Sequence, residues 1–258
     1  MAEIFITETQ GGFKPQTSML DAPYMFETSI VKGAVFYLPF NGDLGADTFV
    51  IRAKDSVSVS LVGDMQGHGS EDRKKILPFL HDLEHLSQLA VSSEYNIDNF
   101  VKEIISMDQK ADCTSMDLFS LSFVRVLSDG SICYLNEGEN RIIIYSDGKL
   151  CDNSEELSHG KIGLLKLTMG SVNQILNVLR PYKMNLKSGD RVFLCSDGVI
   201  GFSEGSDEEQ RLSYVHGKMA ASLSLQDIIQ DINKQAYSDL SRGYSLADDY
   251  SLIGIELK

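Results

Sequence analysis

The chain reads as an α+β domain built in layers. Apolar residues recur with period two in most of its segments, the mark of strands with a buried face. Two stretches in succession, and one later, switch to helical spacing instead. The segments therefore run strands, two helices, strands, helix, final strand, an order that suits layered sheets and helices. With 258 residues and a 43% hydrophobic fraction there is enough apolar side chain for one sizeable core. No internal repeat or low-complexity linker divides residues 1–258, so a single domain is expected.

Glu3 to Thr9 alternates and forms the first expected strand. Gly11 to Leu20 reads as a connecting loop. Phe26 to Leu38 is a second strand-like region around Gly33, and Asn41-Gly42-Asp43 is a turn signal. Ala46 to Ala53 and Val57 to Val62 are expected to form a hairpin across Lys54-Asp55. In its second arm Val57, Val59 and Leu61 alternate with Ser58 and Ser60, as on a strand with one buried face. A first helix is expected from about Ser70 to Ala90, with Ile76, Leu80, Leu83 and Leu86 as a stripe and Pro78 arguing for a kink or a later start. A second runs from about Asn96 to Met107, with Ile97, Phe100, Val101, Ile104 and Ile105 on one face.

Leu118 to Leu127, Ser131 to Leu135 and Arg141 to Tyr145 then read as strands, joined by the Asp129-Gly130 turn and an Asn136 to Asn140 loop, and followed by an Asp147-Gly148 turn. That pattern predicts an antiparallel meander. Ser154 to Met184 is weakly patterned: Gly160 and Gly163 suggest mobility, and Val172 to Leu179 a short helix. Ser188-Gly189-Asp190 is a turn, and Arg191 to Cys195 a strand. Ser203 to Glu209 is acidic and exposed, either a solvated loop or a partner-docking surface. Leu223 to Ala236 is helical, with Leu225, Ile228, Ile229 and Ile232 in register, and Asp248 to Leu257 is the last strand.

The net charge of −14 argues against nucleic-acid binding and against an anionic membrane surface, both of which need clustered Lys and Arg. The four cysteines form no CxxC pair, and Cys195 inside an apolar run reads as a buried, reduced core residue. The N-terminus MAEIFITETQ lacks a basic region and a long apolar region, and no stretch approaches the ~18 apolar residues of a membrane span. A soluble cytoplasmic protein is the expectation.

Carboxylates stand at the ends of the expected strands. Asp64 follows Val57 to Val62 and precedes Gly67-His68-Gly69, where glycines allow positive φ and close approach of a ligand to the main chain. Asp197-Gly198 follows Arg191 to Cys195, Asp248 and Asp249 precede the last strand, and Asp47 opens an earlier one. Any one of these is an ordinary turn aspartate. Together they suit a hard cation such as Mg²⁺ or Mn²⁺, which takes oxygen ligands held on rigid elements. His68 reads equally as a general acid or as a structural turn residue. His81 and His85, at i and i+4, read as a solvated helix face rather than a metal pair, for want of a third ligand. Asp117 either supports the site or caps its strand.

In order, GADTF, GDMQGHG, CSDG and ADDYSL resemble the metal-dependent PPM, or type 2C, serine/threonine protein phosphatases. The likeness is to the bacterial branch typified by the stage II sporulation phosphatase and by the stress-response phosphatases that act on sigma-factor regulators. Thr114 to Leu118 and Asn136-Glu137-Gly138-Glu139-Asn140 share it, and it covers roughly Gly45 to Lys258. The resemblance implies an α-β-β-α sandwich, with two central, mostly antiparallel sheets flanked by helices, and two Mn²⁺ or Mg²⁺ ions at its end. Asp64 would bridge both metals and the Met65 carbonyl would bind one. Asp197 and Asp248 would hold the other, and Asp47 would reach an ion directly or through water. His68, Asp117 and Asp249 would support them. The substrate would be a small phosphoprotein such as an anti-sigma-factor antagonist. A phosphate monoester is a dianion that resists attack by water, and carboxylate-held cations offset that charge and acidify the attacking water, so no Cys or Ser nucleophile is required. The sequence departs from the branch at Val50, where a second acid is often found, and offers no clear match for a phosphate-binding arginine; Arg52 is near in sequence but is not assigned that role. These departures motivate the alternative of a non-catalytic phosphatase-like binding module. A hydrolase of a small phosphorylated metabolite is a third reading.

Overall fold

In a computed structural model the described residues are 4–7, 23–38, 47–65, 81–110, 119–152, 172–201, 208–241 and 248–258. Among the described residues twelve strands form two six-stranded antiparallel sheets. Sheet A runs β1 (Ile4–Thr7), β4 (Thr48–Lys54), β5 (Val57–Met65), β6 (Phe119–Leu127), β7 (Ser131–Glu137), β10 (Tyr182–Asn185). Sheet B runs β2 (Tyr24–Glu27), β3 (Val31–Leu38), β12 (Tyr250–Leu257), β11 (Arg191–Cys195), β8 (Arg141–Ser146), β9 (Lys149–Asp152). Helix α1, of which residues 81–90 are described, α2 (Ile97–Lys110) and α3 (Val172–Val178) lie on sheet A. Helices α4 (Glu208–Met219) and α5 (Leu225–Ser241) lie on sheet B. The layers are thus α-β-β-α, as expected. Among the described residues no helix is long and apolar enough to cross a membrane.

Residue parity shows how the strands feed three cores. In β5, Val57, Val59 and Leu61 pack with Leu83, Leu86, Phe100 and Ile104 under the helices of sheet A. Val62 points the other way and joins Phe49, Ile51 and Val124 against Val192, Leu194, Ile253 and Ile255 of sheet B. The third core lies under α4 and α5, where Val215, Met219, Ile228, Ile229 and Ile232 cover Phe193 and Leu252. Aromatic pairs tie the layers: the Phe100 and Phe123 rings lie 4.0 Å apart, and Tyr237 of α5 meets Phe36 of β3 edge to face.

Several expectations are corrected. Ser58 and Ser60 are buried, not solvent-facing, because β5 is a central strand covered on both sides. Phe26 to Leu38 is not one strand but the hairpin β2–β3, in which the Phe26 ring covers the bare face of Gly33. The turn between β4 and β5 is Asp55-Ser56, with Asp55 at φ 51°. β7 extends through Asn136 and Glu137, which were expected in the loop. The three-stranded meander does not form: β6 and β7 pair in sheet A, but β8 pairs with β9 and β11 in sheet B. The chain changes sheet at Gly138, whose φ is 87°. Strands β9 and β10 and helix α4 escaped the sequence reading, and α5 runs five residues past Ala236, to Ser241. The helix at 97–110, the strand Arg191–Cys195 and the short helix at 172–178 lie where expected. The Gly11–Leu20 loop, the Asn41-Gly42-Asp43 turn, the Gly160 and Gly163 segment and the stretch of the expected Ser70–Ala90 helix before residue 81 lie outside the described residues.

Arginines secure helix ends to the outer faces of the sheets. Arg125 of β6 donates from Nε to the Ala90 carbonyl (2.8 Å) and from Nη2 to the carbonyls of Ser92 (2.8 Å) and Ser93 (3.3 Å), which satisfies orphan acceptors at the end of α1. Arg191 of β11 does the same beyond α4, at the carbonyls of Ala221 (3.1 Å) and Leu223 (2.7 Å), while its Nε meets Glu256 at 2.9 Å. Replacing Arg125 by Met keeps the stem's packing but strands those carbonyls. The expected cost is about 2–3 kcal/mol, or a Tm lower by roughly 5–10 °C, measurable by thermal melts. An unchanged Tm would mean that water satisfies the helix end.

Candidate metal centre

The same parity places the acidic side chains. On β4, residues 49 and 51 face the space between the sheets, and so does Asp47, one step before the strand. On β5 that face carries Val62 and then Asp64. Extending the Thr48–Gly63 register by one residue sets Asp47 opposite Asp64. In sheet B, Val192 and Leu194 lead to Ser196, and Ile253 leads back through Ser251 to Asp249. Both sheets therefore end their apolar interlayer at one edge with polar residues. Asp47, Asp64, Ser196, Asp249 and Ser251 are all buried there.

Hydrogen bonds hold these residues across the two sheets. The Asp47 amide donates to Asp249 Oδ2 (3.2 Å), and Ser251 Oγ donates to Asp47 Oδ2 (2.8 Å). Ser196 Oγ donates to the Asp249 carbonyl (3.2 Å) and accepts from the Ser251 amide (2.9 Å). Asp197 follows at once, in a single 3-10 turn closed by Ile200 and Gly201 amides donating to its carbonyl at 2.8 Å. Gly198 is required here: a Cβ would stand 2.0 Å from the Asp249 carbonyl oxygen. That close approach is what seats Asp197 against Asp248-Asp249. Asp248 is half-buried, and its Oδ1 accepts from the Asp249 amide (2.7 Å).

A further acid arrives from the crossing between the sheets. Gly138 packs so closely that a Cβ would lie 2.4 Å from Ser120 Oγ, and Ser120 stands opposite Asp64 in the β5–β6 register. The Glu139 amide donates to that same Ser120 Oγ (3.1 Å). Asn140 Nδ2 donates to the Val62 carbonyl (3.2 Å), and Asn136 Nδ2 to the Asn140 carbonyl (2.9 Å). The result is a trio: one carboxylate oxygen each from Asp64, Glu139 and Asp197, all within 4.8 Å of one another. Glu139 was missed as a site residue. Its segment, Asn136 to Asn140, shares the family resemblance but reads as a turn, in which a glutamate is expected to be solvated.

Electrostatics in the pocket are one-sided. Burial pushes the Asp47 carboxyl well above the usual carboxylate range, and the charges of Asp64 and Asp249 push it further. Hydrogen bonds from Ser196 and Ser251 oppose this only in part. Buried carboxylates that repel one another suit a hard divalent cation, which offsets their charge through oxygen ligands alone.

Asp47, Asp64, Asp197, Asp248 and Asp249 are thus brought to one end of the sandwich. Met65, whose carbonyl was expected as a ligand, closes β5 opposite Phe119. His68 and Asp117 lie outside the described residues. His81 and His85 are exposed on α1, with His81 Nδ1 3.8 Å from Glu84, as on a solvated face. Val50 is buried in the helix-facing core, on the opposite side of β4 from Asp47.

Compared with known proteins, residues 55–258 match the family model described as Stage II sporulation protein E (SpoIIE). Among curated proteins none matches the sequence. Solved structures share the fold at low identity. The PP2C phosphatase domain with a fragment of the regulatory domain of the cell fate determinant SpoIIE from Bacillus subtilis is 15% identical, with a TM-score of 0.67 over 98% of this chain and 78% of that one. RsbX in complex with magnesium is 14% identical, with a TM-score of 0.62 over 92% of this chain and 100% of that one. The catalytic domain of the serine threonine protein phosphatase PstP in complex with two manganese ions is 12% identical, with a TM-score of 0.52 over 88% of this chain and 98% of that one.

Proposed function

The chain belongs to the Stage II sporulation protein E (SpoIIE) family, and from that premise we propose that it is a metal-dependent serine/threonine protein phosphatase. Its substrate is a phosphoserine or phosphothreonine monoester on a small signalling protein of the sigma-factor-regulator class, met in the cytoplasm. The observation that carries this reading is the trio of Asp64, Glu139 and Asp197 oxygens within 4.8 Å, backed by the buried Asp47 and Asp249.

The donor set fits two Mn²⁺ or Mg²⁺ ions: every side chain offered is a carboxylate, and the ligands stand on strand ends that cannot easily splay. When bound, such ions supply Lewis-acid charge and a water acidic enough to attack near neutral pH. Asp64 is central because it faces both sheets' acids. Asp64, Asp197, Asp248, Glu139 and Asp47, with the Met65 carbonyl, would hold the ions, whose charge would offset that of the carboxylates and of the phosphate. Asp249 acts by position: it fixes Asp47 through the Asp47 amide and seats the Asp197 turn through its own carbonyl. His68 and Asp117 are proposed to support the same site. The Val50 departure does not favour a binding module, since residue 50 faces the helices and a side chain there has no path to the acids.

The test is phosphate release from a small aryl phosphate in EDTA, Mg²⁺ or Mn²⁺, with Asp197→Asn alongside. Turnover that needs metal and is lost in the variant is expected. A folded wild-type protein inert toward aryl phosphate and phosphoprotein with either metal would overturn the enzyme reading.

A further inference from the structure

Two clefts meet at Lys183, on the edge of sheet A away from the acidic cluster. The first, of about 440 Å³, is lined by Tyr95, Ile97, Arg125, Cys133, Lys183 and Met184 among others. The second, of about 410 Å³, lies beside it between α2 and β10, lined by Asp98, Val101, Lys102, Leu179, Arg180 and Lys183 among others. Their floor is apolar, because Ile97, Val101, Leu179 and Cys133 are buried side chains. Their rim is not. Lys102 comes from α2, Arg180 from the segment between α3 and β10, and Lys183 from β10, and all three are exposed.

This gathering is unusual for the chain. The sequence carries 37 acidic and 23 basic residues, and several of its other lysines pair with acids: Lys187 meets Asp147, Lys218 meets Asp231 and Lys258 meets Glu27, each at 2.8 Å. Among the described residues no carboxylate lies within ion-pair distance of Lys102, Arg180 or Lys183, and Asp98 is the one acid lining the second cleft. A lysine and a proline on an edge strand can serve simply to deter sheet-to-sheet association. That explains Lys183 and Pro181 but not Lys102 or Arg180, which stand off the strand and converge on the same space. β10 pairs with β7 on one side and, among the described residues, with no strand on the other.

We propose that this groove docks an extended acidic segment of a partner protein, laid along the outer edge of β10 with its carboxylates toward Lys102, Arg180 and Lys183. Main-chain pairing to an edge strand gives such a segment its direction, the apolar floor accepts every second side chain, and the three cations select for acid. The surface is separate from the metal centre and does not depend on the chain's being a phosphatase.

The experiment is fluorescence polarisation of a labelled oligoglutamate peptide with the full chain in EDTA, so that the metal site plays no part. Saturable binding is expected, weakened about tenfold or more by the double charge reversal Lys102→Glu/Lys183→Glu and barely changed by Lys54→Glu, a reversal of an exposed lysine elsewhere on sheet A. Bound peptide should slow amide exchange in Tyr182–Asn185. Circular dichroism establishes that the variants are folded. The proposal is overturned if wild type does not bind, if Lys54→Glu weakens binding as much as the double reversal, or if exchange slows elsewhere and not in β10. Displacement of the peptide by an equal concentration of inorganic phosphate would also overturn it, in favour of a small-anion site.

Discussion

Asp64→Asn is expected to abolish metal-dependent phosphate release while leaving the chain folded. Asp64 ends the central strand of sheet A, faces the interlayer, and contributes to the carboxylate trio with Glu139 and Asp197. Asparagine keeps the shape and one oxygen but removes the charge. Lewis-acid stabilisation of a phosphoryl transition state is worth several kcal/mol, and each ~1.4 kcal/mol is tenfold in rate, so a loss on the order of a thousandfold is expected in kcat/KM. The fold should not suffer. Removing one of several mutually repelling buried carboxylates relieves the metal-free protein, so its Tm in EDTA should hold or rise. Glu139→Gln is the informative companion. If Glu139 is a ligand, it too should lose activity and weaken metal binding as read by calorimetry; if it is only a neighbour, it should do neither. Asp64→Asn with wild-type turnover would remove the two-metal reading altogether.

Much of this architecture was legible because local signals agreed with one another. Arg191–Cys195 is an apolar run between a Gly-Asp turn and Asp197-Gly198, and it is a strand with those bounds. Ile97, Phe100, Val101, Ile104 and Ile105 share a face, and all five are buried. What escaped was set by tertiary context. Nothing in Arg141 to Tyr145 tells which sheet it joins; that is decided at Gly138, whose packing on Ser120 turns the chain across the interlayer. Tyr182–Asn185 carries no period because, as an edge strand, it buries little. Helix α4 hides its stripe because Arg211 shares its buried face with Val215 and Met219. Ser58 and Ser60 look solvated by type and are buried by position. The site followed the same rule. The aspartates at strand ends were readable, since a carboxylate closing an apolar run has few other reasons to be there. Glu139 was not, because its approach to Asp64 is made by Gly138, in the crossing between β7 and β8, packing on Ser120 of β6.

Asp47→Asn is expected to invert how pH and metal act on stability. The folded protein holds the Asp47 proton well above its ordinary 3.8, because the side chain is buried beside Asp64 and Asp249. The unfolded chain loses that proton near 3.8, so above that pH the native state binds more protons than the unfolded state. Stability from this group is therefore complete below 3.8 and is lost as pH rises toward the elevated folded value. Glu27, Asp129, Asp147 and Asp231 shift the other way, held low by their Lys or Ser partners. Their contribution is lost only as pH falls below the ordinary carboxylate range, so it is flat across neutral pH. In EDTA, then, the wild-type Tm should fall as pH rises from 3.8 toward the elevated folded value, and the Asp47→Asn Tm should be the higher of the two above that value and change less on the way. Saturating Mn²⁺ should reverse the order. A cation at about a hundred times its Kd adds about 2.7 kcal/mol, or roughly 5–10 °C for a chain of this size, and it favours the ionised form of Asp47 most where that form is costliest. Wild type should gain this above the elevated folded value, and Asp47→Asn less than half of it. Thermal melts in EDTA and Mn²⁺ across that range decide the matter. A metal-free wild-type Tm that climbs with pH, or a variant that gains as much from Mn²⁺ as wild type does, would show that Asp47 neither carries the buried charge nor helps to hold the ion.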